Sequence, residues 1–393
     1  MSYACKIAKT VDEIDLAAWR QVCDDDEDAP MDVRYLRAVE RSNPAGSEFE
    51  YLTFLDEQGD PIAAACVSQF TLDGAMFFGQ SLASVVRLIR KVFPRYLNFR
   101  VIMCGMPVSI GASNIRVHAM ADPDRLMRSL DQQLRRIAKE KGAWLIVAKE
   151  FTDAECTWAD QLEESGYLKA ESLPMNTFEH SFSSLDEFLQ TLRSHYRYKI
   201  KRSQKKFAQA GITVERYTDP EEISRLYTEE LHQLYIEIVN KAEHRLEILP
   251  REFFIELGRQ LAPQIVLTLL RHGDEVVAFA WSLHSGTVYR NMFVGVDGEA
   301  NDRSDAYFNL MLIDMDHALR EGATKIYFGQ TADTFKSRLG CFADPRSIYV
   351  QAVPGWLHWS MVRCQKWIFP PFDSPEQREL FKPIEVAEAV RSS

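Results

Sequence analysis

Glu57-Gln58-Gly59-Asp60-Pro61-Ile62-Ala63-Ala64-Ala65 in the first half of the chain is answered by Arg271-His272-Gly273-Asp274-Glu275-Val276-Val277-Ala278-Phe279 in the second. Each stretch joins two apolar runs through Gly-Asp, the pattern of a tight turn between paired strands. A second echo follows: Gly142-Ala143-Trp144-Leu145-Ile146-Val147-Ala148-Lys149-Glu150 matches Gly322-Ala323-Thr324-Lys325-Ile326-Tyr327-Phe328-Gly329-Gln330. Both copies run strand, turn, strand, further strand, a helix of about four turns, then Gly-Ala and another apolar strand. One supersecondary unit is thus used twice. The fold class that follows is α/β (α+β), in tandem modules, each a mixed, mostly antiparallel sheet flanked by helices.

The chain has 393 residues, 46% of them hydrophobic, enough to bury cores in about two domains. The repeat places an N-terminal module at 1–180, a C-terminal module at 181–353 and a helical extension at 354–393. In module one, Thr10 reads as the cap of a first helix. Further helices are expected at Val33 to Arg41, near Leu82 to Val92 and from Arg125 to Lys141 after Pro123-Asp124. In module two, Ser183 or Ser184 caps a helix that continues as a basic stretch to Gln209, and Gly211 breaks it. Asp219-Pro220 starts a long helix to about Asn240, and Pro250 starts another to Leu261.

Seven scattered cysteines show no metal-ligand spacing and fit reduced thiols, and the histidines form no HxxxH set, so no metal is expected. No apolar run approaches the roughly 18 residues of a membrane span, and the first residues lack a signal peptide's features. The expectation is a soluble, cytoplasmic protein.

The formal net charge of -11 argues against general nucleic-acid binding. From Arg193 to Arg216, however, eight cations face one carboxylate, Glu215. Asp24-Asp25-Asp26-Glu27-Asp28 is the opposite, an acid cluster read as a solvated loop. At the other end, Trp356 to Phe369 forms a tryptophan-rich amphipathic helix. It could lie on a membrane or a partner, but docking on its own domain is favoured because its two cations make a poor lipid face.

The paired hairpins and the order of elements resemble the GNAT acyltransferase fold in tandem. Within it, the chain is similar to the Fem-like and BioF2-like group, related to the peptidoglycan-bridge aminoacyl transferases. The residues that carry the resemblance are Phe182 to Lys206, Gly273 to Leu283, Gly322 to Gly329 and Phe335-Lys336-Ser337-Arg338-Leu339-Gly340. It implies an N-acyltransferase moving an acyl group from a thioester donor, acyl-CoA or an acyl carrier, to an amine of a small molecule or amino acid. Two alternatives stand beside it. One is an aminoacyl-tRNA-dependent, peptide-bond-forming transferase of the Fem type, and the other a non-catalytic binding or scaffold protein. GNAT enzymes usually carry an Arg/Gln-x-x-Gly-x-Gly/Ala loop whose amides hold the pyrophosphate of coenzyme A. This chain reads Asp297-Gly298-Glu299-Ala300-Asn301-Asp302-Arg303-Ser304-Asp305-Ala306 there, which leaves the donor open.

Acyl transfer to an amine needs a deprotonated nucleophile, a polarised carbonyl and a protonated leaving group. Tyr289 or Asp305 is expected to move protons, with a core aromatic and a helix cap as the plain readings. Lys336 is the residue the resemblance favours most, as a cation for a carboxylate or phosphate. Asn291, Tyr307 and Gln330, with Glu150 as the module-one counterpart of Gln330, are expected to contact substrate. Lys241 and Glu247, in a polar interhelical loop, are candidate acceptor contacts. Arg197, Lys201, Arg202, Arg303 and Arg338 are candidates for donor phosphates. Tyr196 and Tyr198 are interleaved with the basic residues, so tRNA is a possible partner for that stretch. Because Lys149-Glu150 is answered by Gly329-Gln330, the two modules are not expected to do identical chemistry.

Overall fold

A computed structural model describes residues 2–23, 28–43, 46–73, 98–241, 248–330, 333–371 and 380–382. The expected helix at Leu82 to Val92, the acid run 24–27 and Glu247 lie outside the described residues. The strands are β1 (Ala4–Ala8), β2 (Glu48–Leu55), β3 (Pro61–Asp73), β4 (Asn98–Cys104), β5 (Ile115–Val117), β6 (Leu145–Phe151), β7 (Leu168–Glu179), β8 (Ile212–Tyr217), β9 (Ile265–His272), β10 (Glu275–Ser285), β11 (Val288–Val296), β12 (Lys325–Tyr327) and β13 (Phe342–Ala352).

The chain forms two compact units, and neither is continuous in sequence. Unit 1 is Met1–Pro174 with Arg245–Leu261 and Asp344–Asp373; unit 2 is Met175–His244 with Ala262–Ala343 and Ser374–Ser393. The boundaries expected at 180 and 353 therefore do not describe the folded units. The helix Arg251–Leu261, expected in module two, packs in unit 1 against the helix Val33–Ser42. It does so because Phe253, Phe254, Leu257 and Leu261 form a fully buried stripe, and Glu256 meets Arg41 at 3.7 Å.

Unit 1 orders its strands β1-β2-β3-β4-β6-β13, with β5 against β3. Every pair there is antiparallel except β4 and β6. The helix Pro123–Lys141 covers this sheet with Leu126, Met127, Leu130, Leu134, Ile137 and Ala138. Each of its larger apolar side chains contributes on the order of 1.5–3 kcal/mol on burial. Unit 2 orders the C-terminal part of β7 beside β12, β11, β10, β9 and β8, with β11 and β12 the parallel pair. The helix Ala306–Arg320 covers it with Leu310, Met311, Leu312, Met315, Ala318 and Leu319. Mixed α/β units with mostly antiparallel sheets flanked by helices are what the repeat implies.

Both echoes are realised as geometry. Gly59 and Gly273 turn the two hairpins at φ +91° and +61°, and Gly142 and Gly322 end the two covering helices at φ +63° and +82°. All four need a backbone region that side chains avoid. The caps differ in detail. Asp15, rather than Thr10, accepts the first-turn amide of the helix Leu16–Val22, and Ser184 caps Leu185–Thr191 through the Glu187 amide. The expected continuous helices are each broken in two: Leu185–Thr191 then Ser194–Gln209, and Pro220–Leu226 then Glu229–Lys241.

Candidate functional site

In unit 2 the parallel pair is short and then opens. Val288, Tyr289 and Arg290 of β11 lie opposite Lys325, Ile326 and Tyr327 of β12. Beyond them β11 bulges: Phe293 faces Trp281 and Asn291 faces Ser282, so Met292 is one residue more than β10 can match. A bulge leaves its extra residue outside the ladder and turns the strand. On the other side the chain after β12 is held to β7, where the Asn176 backbone and side-chain amides both donate to the Gly329 carbonyl at 3.0 Å. The two strands therefore part where a substrate carbonyl could enter.

Lys336 stands at that parting. It closes the short helix Asp333–Lys336 and is 4% exposed, and a side chain on Gly329 would meet its Nζ at 3.6 Å. Gly329 has φ +78°. Burial pushes the neighbouring Cys341 thiol up to about 12, against the Lys336 charge acting the other way. Phe335 packs on Tyr307 with ring centroids 4.8 Å apart, and Gln330 follows Gly329 directly. The fold thus brings together Tyr307, Gln330 and Lys336 from the sequence candidates. Burial raises the Tyr307 hydroxyl to about 12, keeping it neutral.

Tyr289 and Asn291 are corrected. Neither faces the opening; both turn to Asp314, which is fully buried on the helix Ala306–Arg320. The Asp314 carboxylate accepts from the Tyr289 hydroxyl at 2.8 Å, from Ser282 at 2.7 Å and from the Asn291 amide at 2.7 Å. Burial, then the Asp314 charge, drives the Tyr289 hydroxyl well above its ordinary range. Sequence reasoning passed over Asp314. Its signal was a lone carboxylate inside Leu310-Met311-Leu312-Ile313-Asp314-Met315, which an amphipathic helix buries only with partners.

Asp305 is also corrected. It sits at φ +54° between the helices Gly298–Ser304 and Ala306–Arg320 and makes no capping bond of its own side chain. Its carboxylate pairs with Lys206 at 2.6 Å and accepts from Ser203 at 2.9 Å, which ties the basic helix Ser194–Gln209 to this corner. The inner face of that helix is Ile200, Ser203 and Phe207. Tyr198, Lys201, Arg202 and Lys205 line its exposed face, with Tyr198 67% exposed. Arg197 is half-buried, and Arg303 and Arg338 are exposed. At the start of Gly298–Ser304 the Ala300 amide is taken at 2.7 Å by Asp297 from within the chain. Lys241 lies 3.7 Å from where a Gly298 side chain would begin.

Unit 1 builds the same parting differently. β4 and β6 pair in parallel from Val101 opposite Leu145 to Cys104 opposite Ala148. Where β11 has a single extra residue, the chain here leaves β3 after Cys104 and rejoins it at Ile115. The excursion is buried at Met106, Val108, Ile110, Ser113 and Asn114. Glu150, 3% exposed at φ +66°, accepts a bond from Ser109 of that excursion, and Lys149 lies 3.8 Å from it. Ser113 bonds Glu155, and the buried Arg346 donates to the Gly111 carbonyl at 3.0 Å. Glu150 is thus bonded within unit 1 by the excursion that fills its parting.

A parallel pair that opens beside a bulge, in a sheet covered by one long helix, is the arrangement of the GNAT fold. Three solved structures of tandem or Fem-type build share the fold. The C-terminal domain of a putative lysylphosphatidylglycerol synthetase from Agrobacterium fabrum is 11% identical, with a TM-score of 0.51 over 92% of this chain and 99% of that one. FemX is 13% identical, with a TM-score of 0.51 over 83% of this chain and 93% of its own. A tandem GNAT protein from the clavulanic acid biosynthesis pathway is 11% identical, with a TM-score of 0.52 over 89% and 98%. Sequence comparison with curated proteins gives no match. The chain belongs to the FemAB-like family, described as peptidoglycan biosynthesis/recognition, which matches residues 10–300. Among the described residues, no helix is long and apolar enough to cross a membrane.

Proposed function

We propose that the chain forms an amide bond from an aminoacyl-tRNA, the Fem-type reading, with unit 2 holding the donor. The observation that carries this is the start of the helix Gly298–Ser304. Coenzyme A would need its amides for a pyrophosphate, yet Asp297 occupies the Ala300 amide from within the chain. A pyrophosphate there would have to displace the Asp297 carboxylate. An RNA backbone has another place to go, along Lys201, Arg202 and Lys205 with Tyr198 for stacking. FemAB-like membership supports the same reading over an acyl-CoA or carrier thioester.

In this reading the acceptor amine attacks the ester carbonyl carbon at the parting of β11 and β12. A C–N bond forms, the C–O bond to the ribose breaks, and the ribose oxygen leaves with a proton from the amine. The bulged backbone at Met292 offers an amide to the carbonyl oxygen, and the buried Lys336 ammonium offsets the negative charge that develops. Tyr307 and Gln330 shape the acyl pocket. Unit 1, with its parting filled, serves recognition rather than transfer. The acceptor is an amine of a peptide or amino acid.

The test incubates the full chain with radiolabelled aminoacyl-tRNA or acetyl-CoA and a panel of peptide amines. Transfer from tRNA, abolished in Lys336→Ala, supports the proposal. Transfer from acetyl-CoA with no binding of charged tRNA overturns it and returns the thioester reading.

A further inference from the structure

The tryptophan helix docks on its own unit through Met361, with Leu357 and Phe369 beside it, and leaves much of its tryptophan surface outward. In unit 1 the helix Gly355–Arg363 seats Met361 inward and leaves Trp356 at 64% and Trp359 at 66% exposure, with Val362 beside them. The short helix Gln365–Ile368 that follows leaves Trp367 85% exposed. Trp356 is met edge-on by Trp144 at 6.1 Å, and Trp144 in turn by Phe99 at 5.3 Å, so the aromatic surface continues onto the sheet end. Water-facing tryptophan on this scale is costly without a partner.

Two cations alone make a poor lipid face, but here they stand in a stretch with no acid to oppose them. From Val353 to Pro371 the chain carries no Asp or Glu, although the whole protein has 57, and it carries Arg363 and Lys366. The Arg363 guanidinium lies 5.9 Å from the Trp359 ring centre, so cation and aromatic ring share one face. Tryptophan seeks the boundary between headgroups and acyl chains, where its ring is in apolar surroundings and its N–H in wet ones. Short helices lying flat, with tryptophan outward and cations at the rim, suit an anionic bilayer surface.

We infer that Trp356, Trp359 and Trp367, with Arg363 and Lys366, dock unit 1 on an anionic phospholipid membrane surface. The inference is independent of the donor used in unit 2. It describes a peripheral contact, since no described helix can span.

Flotation of the full chain with two kinds of vesicle tests it: phosphatidylcholine alone, and phosphatidylcholine with about a third phosphatidylglycerol. The anionic vesicles are expected to carry the protein up with a blue shift of tryptophan emission, and the neutral ones much less. W359S/W367S should weaken this binding more than tenfold, and R363E/K366E by about fivefold per charge removed, with the melting temperature of both variants unchanged. No binding to anionic vesicles by the folded protein overturns the inference. So does undiminished binding of W359S/W367S, or a solution dimer that these substitutions dissociate.

Discussion

Lys336 holds its ammonium beside Gly329, the residue at which the chain turns from β12 towards the amides of Asn176. A buried cation at the parting of a parallel strand pair is an electrostatic instrument already in place before substrate arrives. Lys336→Ala is expected to lower kcat by about 100- to 1,000-fold, the range seen when one preorganised charge-stabilising donor is lost. Lys336→Arg should recover part of the activity. Single-turnover assays of both variants check this, and full activity in Lys336→Ala would sink the assignment.

The Asp314 network makes a different forecast. Asp314→Ala strands the hydroxyls of Tyr289 and Ser282 and the amide of Asn291 in a dry core. Its cost should be about 3 kcal/mol or more, read as a lowered denaturation midpoint at unchanged slope. Tyr289→Phe removes one bond to a charged group, about 1.5–3 kcal/mol, and should leave the shape of the pH-rate profile as it was. A shifted profile would restore the proton-transfer role.

Charge reversal on the outer face of Ser194–Gln209 should act on binding alone. Lys201→Glu with Arg202→Glu is expected to weaken tRNA binding and flatten the dependence of log K on log salt by about two. Both side chains are exposed, so the melting temperature should hold. An unchanged slope would remove this face from the donor path.

Acid should destabilise unit 2 through its histidines. Burial, then Arg216, holds His317 below its ordinary pKa of 6.5, and burial does the same to His180. The unfolded chain then binds protons that the folded chain does not. Stability is complete above 6.5 and falls as pH drops from there towards the lowered folded values. His317→Gln with His180→Gln should flatten the melting temperature between about pH 7 and 5. An unchanged slope in the double variant would show that other groups carry the acid sensitivity.

What could be read from the sequence was what repeats locally. Gly59, Gly142, Gly273 and Gly322 announce turns and helix ends because their backbone conformation is a local demand. The place of Lys336 beside Gly329 depends on the short helix Asp333–Lys336 folding back on the strand end, which no local pattern announces. Tyr289 and Asn291 were misplaced because strand alternation gives a face without saying whether a helix residue such as Asp314 waits on it. Asp305 looked like a cap from its position before Ala306, yet its left-handed backbone turned the carboxylate to Lys206. The unit boundaries were hidden for a more general reason. The stripe Phe253, Phe254, Leu257 and Leu261 shows that a helix must bury a face, not which core receives it.

That rerouting bears on how the protein is made. β13 lies against β6 with Tyr349 opposite Ala148, so unit 1 lacks a strand until residues 342–352 have been synthesised. On the ribosome, the N-terminal half emerges with β6 as an open edge, and an unpaired edge invites pairing with another nascent chain. A gene cut at the repeat boundary would leave that edge permanently exposed.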